Sequence, residues 1–208
     1  MRTRGETARQ RILDASTSAF AQFGYEGTSL DRIARTLGVT RQALLFHYKD
    51  KRGLYDASLE RLFEQREEGM VSRTREEFKS LGDYVDYLVQ YAVEFYLGHP
   101  EYIALVLRLL MAEGPHAAQA PSSGVGMVAR FEEVLREGVK EGVMQDIPVS
   151  HLVAVIGGTL SYYKLLPQGA RTGVDLMAYD PRAPEEVARI SRNLQRAVRG
   201  MLGLSQSA

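Results

Sequence analysis

Apolar residues recur along this chain at spacings of three and four, and no stretch alternates apolar with polar positions as a half-buried strand would. Residues 6–23 begin the series, with Ile12, Leu13, Ala15, Ser16, Ala19, Phe20 and Phe23 on one face and Gly24 as the stop. Two short helices are predicted next. Thr28 is placed as the N-cap of the first, Asp31 suits its positive end, and Ile33, Ala34 and Leu37 form its inner face. Gly38 supplies the turn, Val39 plugs the corner, and Thr40 caps a second helix anchored inward by Leu44. A longer helix from Lys51 to about Met70 turns Leu54, Ser58, Leu59, Leu62 and Phe63 toward the others and links them to the rest of the chain.

The helical period continues beyond residue 70. Ser80 and Asp83 start a helix to Leu97, and Gly98-His99-Pro100-Glu101 breaks it and starts another, with Pro100 in its first turn. Residues 101–113 are almost wholly apolar (Ile103, Leu105, Val106, Leu107, Leu109, Leu110, Met111), which predicts a helix central to the body. A loop from Gly114 to Gly124 leads to a helix of about 125–141. Ser150 caps a further one to Leu166, and Pro184 starts the last, to about Leu202, after a connection from Pro167 to Ala183. Leu152, Ile156, Thr159, Tyr163 and Leu166 form one stripe, and Val187, Ile190, Leu194, Ala197 and Met201 form another. Two such stripes from each of two chains close a four-helix bundle, or each buries against its own body. Gly157 and Gly158 inside a helix fit a close backbone approach, to a partner helix or to a ligand.

Chemistry concentrates between residues 28 and 54. Two short helices at a sharp corner form a helix-turn-helix. The second carries Arg41, Gln42, Ala43, Leu45, Phe46 and His47 outward: guanidinium and amide for base edges, apolar groups for thymine methyls and sugars. A plain helical hairpin is the other reading of the same corner. Arg41 and Gln42 are the candidate base readers, Thr40, His47, Tyr48 and Lys51 the candidate contacts to the DNA backbone, and Thr28 a further candidate DNA-binding residue.

From Arg9 to about Glu60 the chain resembles the DNA-binding domain of the TetR family of transcriptional regulators. The resemblance rests on Arg11-Ile12-Leu13-Asp14-Ala15, Ala19-Phe20, Phe23-Gly24-Tyr25, Thr28-Ser29, Ile33-Ala34, Leu37-Gly38-Val39-Thr40, Leu44, His47-Tyr48, Lys51 and Leu54. Gln42 stands where the family often has Gly or Pro, and Leu45 where a phosphate-contacting Tyr is usual. The resemblance implies an all-α homodimer. Residues 1–54 would form a three-helix helix-turn-helix DNA-binding domain, and residues 55–208 a helical ligand-binding and dimerisation domain. It also favours dimerisation through residues 150–166 and 184–202, and a ligand pocket among the body helices.

Charge divides the chain the same way. The whole is neutral, yet residues 1–54 hold ten Lys or Arg against five Asp or Glu, a net of +5, and residues 55–208 hold sixteen against twenty-one, a net of −5. A basic head on an acidic body places the phosphate-seeking surface at one end. Arg2 and Arg4 ahead of the first helix form either an arm reaching DNA or a solvated terminus.

The body gathers aromatic and Met residues that suit either plain core or the wall of a pocket. Tyr87, Tyr91, Phe95, Tyr102, Met111, Phe131 and Tyr162 are its candidate ligand contacts, and a small, largely apolar effector is expected. Arg108, in the most apolar helix, either meets an anionic group of that effector or pairs with Glu94 or Glu113.

Nothing in the chain supports catalysis or a cofactor. There is no Cys, the four His lie in different predicted elements, and Gly-Pro interrupts the helix on which Glu113 and His116 would have to share a metal. No apolar run reaches membrane-spanning length and the N-terminus is polar, so a cytoplasmic protein without a membrane partner is expected. The expected function is a DNA-binding transcriptional regulator on a palindromic operator, a repressor released by its effector. The other class is a helical small-molecule binding protein or enzyme that keeps the head only as scaffold.

Overall fold

The computed structural model describes residues 4–111, 126–165 and 180–205, and among these it contains helices and no strand. They divide into two compact units. The first holds α1 (Arg4–Gly27), α2 (Leu30–Leu37), α3 (Arg41–His47), α4 (Lys51–Met70) up to Gln65, and α6 (Pro100–Leu110) from Glu101. The second holds the end of α4 from Arg66, a 3₁₀ turn (Arg75–Glu77), α5 (Leu81–Gly98), α7 (Gly126–Lys140), α8 (Val149–Leu165) and α9 (Pro184–Leu202).

In the first unit the inner faces of α1, α2 and α3 bury Ile12, Phe20, Ile33, Ala34 and Leu44, and α4 adds Leu54, Tyr55, Leu59, Leu62 and Phe63. Rings lock the centre: Phe20 meets Tyr55 edge-on at 5.0 Å, and Phe63 meets Tyr102 of α6 at 5.2 Å. Gly24 is less a stop than a break. Its φ of 73° interrupts α1, which then continues for one turn to Gly27. The break brings two carbonyls to Thr28, whose hydroxyl donates to Gly24 O at 2.7 Å and Ala19 O at 3.1 Å. Thr28 is therefore buried, and the N-cap of α2 is Ser29, whose hydroxyl accepts from the Arg32 amide. The capping place passes to the next residue because the Thr28 hydroxyl is turned inward, to those carbonyls and away from the α2 amides. Val39 does not plug the corner but lies exposed, while Gly38 closes α2 in the left-handed region.

The apolar helix expected at the centre of the body belongs instead to the first unit. Tyr102, Ile103 and Leu105 of α6 are buried there, and Leu110 and Met111 are exposed. The core of the second unit is built on α5, against which α7, α8 and α9 pack. Ser80 and Pro184 open α5 and α9 as expected. Arg199 of α9 clasps Asp86 of α5 with Nε 3.0 Å from both carboxylate oxygens, and its Nη1 donates to Ser205 O. The two stripes expected to meet a partner chain lie largely inside this unit. Leu152, Ile156, Ile190 and Leu194 are buried in its core, with Tyr163, Val187 and Met201 packed against it, and Leu166 falls outside the described residues. One unit supplies enough apolar surface to bury both stripes, which periodicity alone does not reveal. Among the described residues no helix is long and apolar enough to cross a membrane.

Candidate nucleic-acid interface

The corner between α2 and α3 is set by backbone bonding. Gly38 N–H reaches Arg35 O at 3.2 Å and Val39 N–H reaches Ala34 O at 3.0 Å, so α2 ends abruptly. Thr40 then caps α3 through the Ala43 amide at 3.2 Å. With Leu44 buried as the inward anchor, the opposite side of this short helix is forced outward. Arg41, Gln42 and Leu45 are exposed, and Phe46 is 86% exposed, the most exposed of the large apolar residues described. That ring therefore contributes little to the packing of the first unit. His47 is half-buried, its ring edge-on to Phe46 at 5.2 Å, and Ala43 is half-buried between them and the corner.

Charge flanks this face. Arg41 Nη1 lies 3.5 Å from the Asp31 carboxylate on α2. Lys51, at the start of α4, holds its ammonium 4.3 Å from the centre of the Tyr25 ring. The Tyr25 ring in turn meets Tyr55 edge-on at 5.2 Å, and burial pushes the Tyr55 phenol up. Tyr48 differs from its expected place: it is buried, its hydroxyl has no hydrogen-bond partner among the described residues, and Arg9 lies over its ring at 5.7 Å. Thr28 is turned inward too. Of the ten residues expected to face DNA, Thr40, Arg41, Gln42, Ala43, Leu45, Phe46, His47 and Lys51 lie at or beside the exposed side of α3, and Thr28 and Tyr48 form its support. Arg2 lies outside the described residues, as does the Arg4 side chain.

The expected ligand residues do not form one cluster. Tyr87, Tyr91 and Phe95 follow one another along α5 with ring centres 6.4 and 6.0 Å apart, and the series extends to Tyr84 and His99. Their hydroxyls are engaged: Tyr91 donates to Arg66 O at 2.6 Å and Tyr87 to Met70 O at 3.4 Å. Burial, reinforced by the neighbouring Tyr87 phenol, pushes Tyr91 up to about 12 and keeps it a donor. Phe131 is buried in the same core, and Tyr162 of α8 is 52% exposed. Tyr102, Arg108 and Met111 belong to the first unit. Among the described residues Arg108 bonds the backbone of α1. Its guanidinium donates to the carbonyls of Ala21 at 3.4 Å and Gln22 at 3.1 Å, and Gly24 leaves room for it, since a Cβ there would lie 2.9 Å from Nη1. Glu94 instead accepts from Gln90, and Glu113 and His116 lie outside the described residues. Sequence reasoning missed the Asp31–Arg41 and Arg108–α1 contacts; Gly24 was a local signal for the second.

Comparison with known proteins agrees with this geometry. The model for bacterial regulatory proteins of the tetR family matches residues 12–58. The transcriptional regulator RutR of Escherichia coli K12 is 27% identical over 164 residues, 78% of this chain and 76% of that protein. The transcriptional repressor SCO4008 of Streptomyces coelicolor is 26% identical over 175 residues, 80% of this chain and 83% of that one. Among solved structures, a bacterial regulatory protein of the tetR family from Rhodococcus RHA1 has the same fold, with a TM-score of 0.72 across 96% of this chain and 98% of that chain at 18% identity.

Proposed function

We propose that this chain, which belongs to the TetR family of DNA-binding transcriptional regulators, is a cytoplasmic repressor that places α3 in the major groove of a palindromic operator. The observation that carries this reading is the two-sidedness of α3, with Leu44 buried and Arg41, Gln42, Leu45 and Phe46 turned out. Arg41 and Gln42 read base edges, and Ala43, Leu45 and Phe46 meet thymine methyls and sugars. Thr40, His47 and Lys51 hold the phosphate backbone. Thr28 and Tyr48 serve by fixing the frame. Selection of duplexes from a randomised library with the full-length protein tests this: a recovered two-fold sequence supports it, and recovery of no preferred sequence overturns it.

Regulators of this family bind operators, dimerise and respond to small-molecule effectors, and they are generally non-enzymatic. The dimer we propose still uses residues 150–166 and 184–202, but through the sides the core leaves free. Val153, Ala154, Gly158 and Tyr162 are exposed on α8, and Ala188, Arg189, Arg192 and Arg196 on α9. A Cβ on Gly157 or Gly158 would meet nothing within 4 Å among the described residues, which leaves the helix open to a close partner. The effector is a small, largely apolar molecule that meets the Tyr87-Tyr91-Phe95 series of α5.

A further inference from the structure

We propose that Asp31 is a specificity-determining residue of the DNA-binding head: it holds Arg41 for base reading and keeps that charge from being spent on phosphates. This rests on the assignment of Arg41 to a base edge. Asp31 lies in the first turn of α2 and Arg41 is the first residue of α3, so the corner alone brings their side chains together, Nη1 to Oδ2 at 3.5 Å. The cations nearest Asp31 in sequence are otherwise engaged. Arg32 stacks over the Phe23 ring at 4.2 Å, and Arg35 Nε points to the Asp31 carbonyl rather than its carboxylate. Both partners are more than half exposed, 55% for the Arg41 side chain and 62% for Asp31, so the pair adds little to folding stability. Its consequence lies in what it does to Arg41.

A guanidinium carries five N–H donors, and the contact to Asp31 occupies one side of it. The remaining donors suffice for the bidentate bond to guanine O6 and N7. Released from Asp31, an exposed arginine at the tip of a helix is free to turn to the nearest phosphate, a contact that carries no sequence information. Asp31 opposes that in two ways: its charge offsets the guanidinium, and it repels an approaching phosphate. Random DNA loses more from this than the operator does, and the difference between the two is specificity.

The test uses the full-length protein, Asp31→Asn, Arg41→Ala and the double variant. Each is titrated at several salt concentrations with a duplex enriched from a randomised library by the wild type and with a scrambled duplex. Asp31→Asn is expected to bind the scrambled duplex more tightly, to steepen its salt slope by about one, and to lower the enriched-to-scrambled affinity ratio about five- to tenfold. In the Arg41→Ala background the same change should leave that ratio alone. Asp31→Ser, also uncharged and at ease in a first helical turn, repeats the measurement if Asn disturbs folding. An unchanged ratio in Asp31→Asn overturns the proposal, and so does an equal fall with or without Arg41. If Arg41→Ala itself leaves the ratio unchanged, the base-reading assignment has failed, and the role of Asp31 falls with it.

Discussion

A single side chain on α3 contributes through what it touches once DNA is present, and the two kinds of contact have separate signatures. Arg41→Ala removes a bidentate donor and should cost roughly 1–3 kcal/mol on the operator while relaxing preference at one position. Lys51→Ala removes the charge held over the Tyr25 ring, and with the backbone-contacting role proposed for it the change should weaken every sequence alike and reduce the salt slope by about one. Binding titrations against operator and random duplexes separate the two. Thr28 belongs to a third kind. Thr28→Val keeps the shape but leaves the Gly24 and Ala19 carbonyls without their donor, at a cost of about 1–3 kcal/mol. A lower melting temperature is expected, whereas a phosphate-contacting Thr28 would change operator affinity and leave melting alone.

Helices were legible where one residue type does one job. Thr40, Ser80 and Pro184 begin α3, α5 and α9 because a hydroxyl or a proline at a helix start has few alternatives. Thr28 and Ser29 are adjacent hydroxyls, and the choice between them depends on a break at Gly24 whose carbonyls attract the first. The contacts that define the units were not legible. Arg108 reaches α1 across 86 residues and Arg199 reaches Asp86 across 113, and periodicity gives a helix its apolar face without naming what covers it. The stripes on α8 and α9 show this most directly, since the same spacing suits a partner chain or the chain's own core. Their burial yields a prediction at this scale. Leu194→Asp places an unpaired charge in the core and should destabilise the fold by several kcal/mol. Gly158→Leu extends into open space within the chain and should weaken dimerisation alone. Sedimentation combined with thermal melting checks both: a Gly158→Leu protein that remains fully dimeric places the interface elsewhere.

Across the whole molecule, an effector can release the operator only by binding the non-operator conformation more tightly, with a coupling typically of about 1–3 kcal/mol. In the regulator proposed above, two segments of chain are expected to carry that bias. α4 passes without interruption from residues of the first unit to residues of the second, and at Pro100 the chain leaves α5 for α6. The end of α4 is held where the aromatic series lies, by the Tyr91 and Tyr87 hydroxyls on Arg66 O and Met70 O. An apolar ligand wedged against those rings must disturb the bonds that fix the last turns of α4. α6 returns to the first unit and bonds α1 through Arg108, three residues before the Gly24 break that positions Thr28 and the start of α2. Both routes therefore end on the frame of the reading helix, and neither requires the head to unfold. Linkage makes the effect reciprocal: whatever factor an effector takes from operator affinity, the operator takes from effector affinity. Calorimetry with a hydrophobic ligand found by thermal-shift screening should give a weaker affinity in the presence of operator, by roughly 5- to 150-fold. Tyr91→Phe, which keeps the ring and drops the bond to α4, should shrink that factor while leaving ligand binding to the free protein nearly intact. Equal ligand affinities with and without operator would make the protein a constitutive DNA binder and the aromatic series plain core.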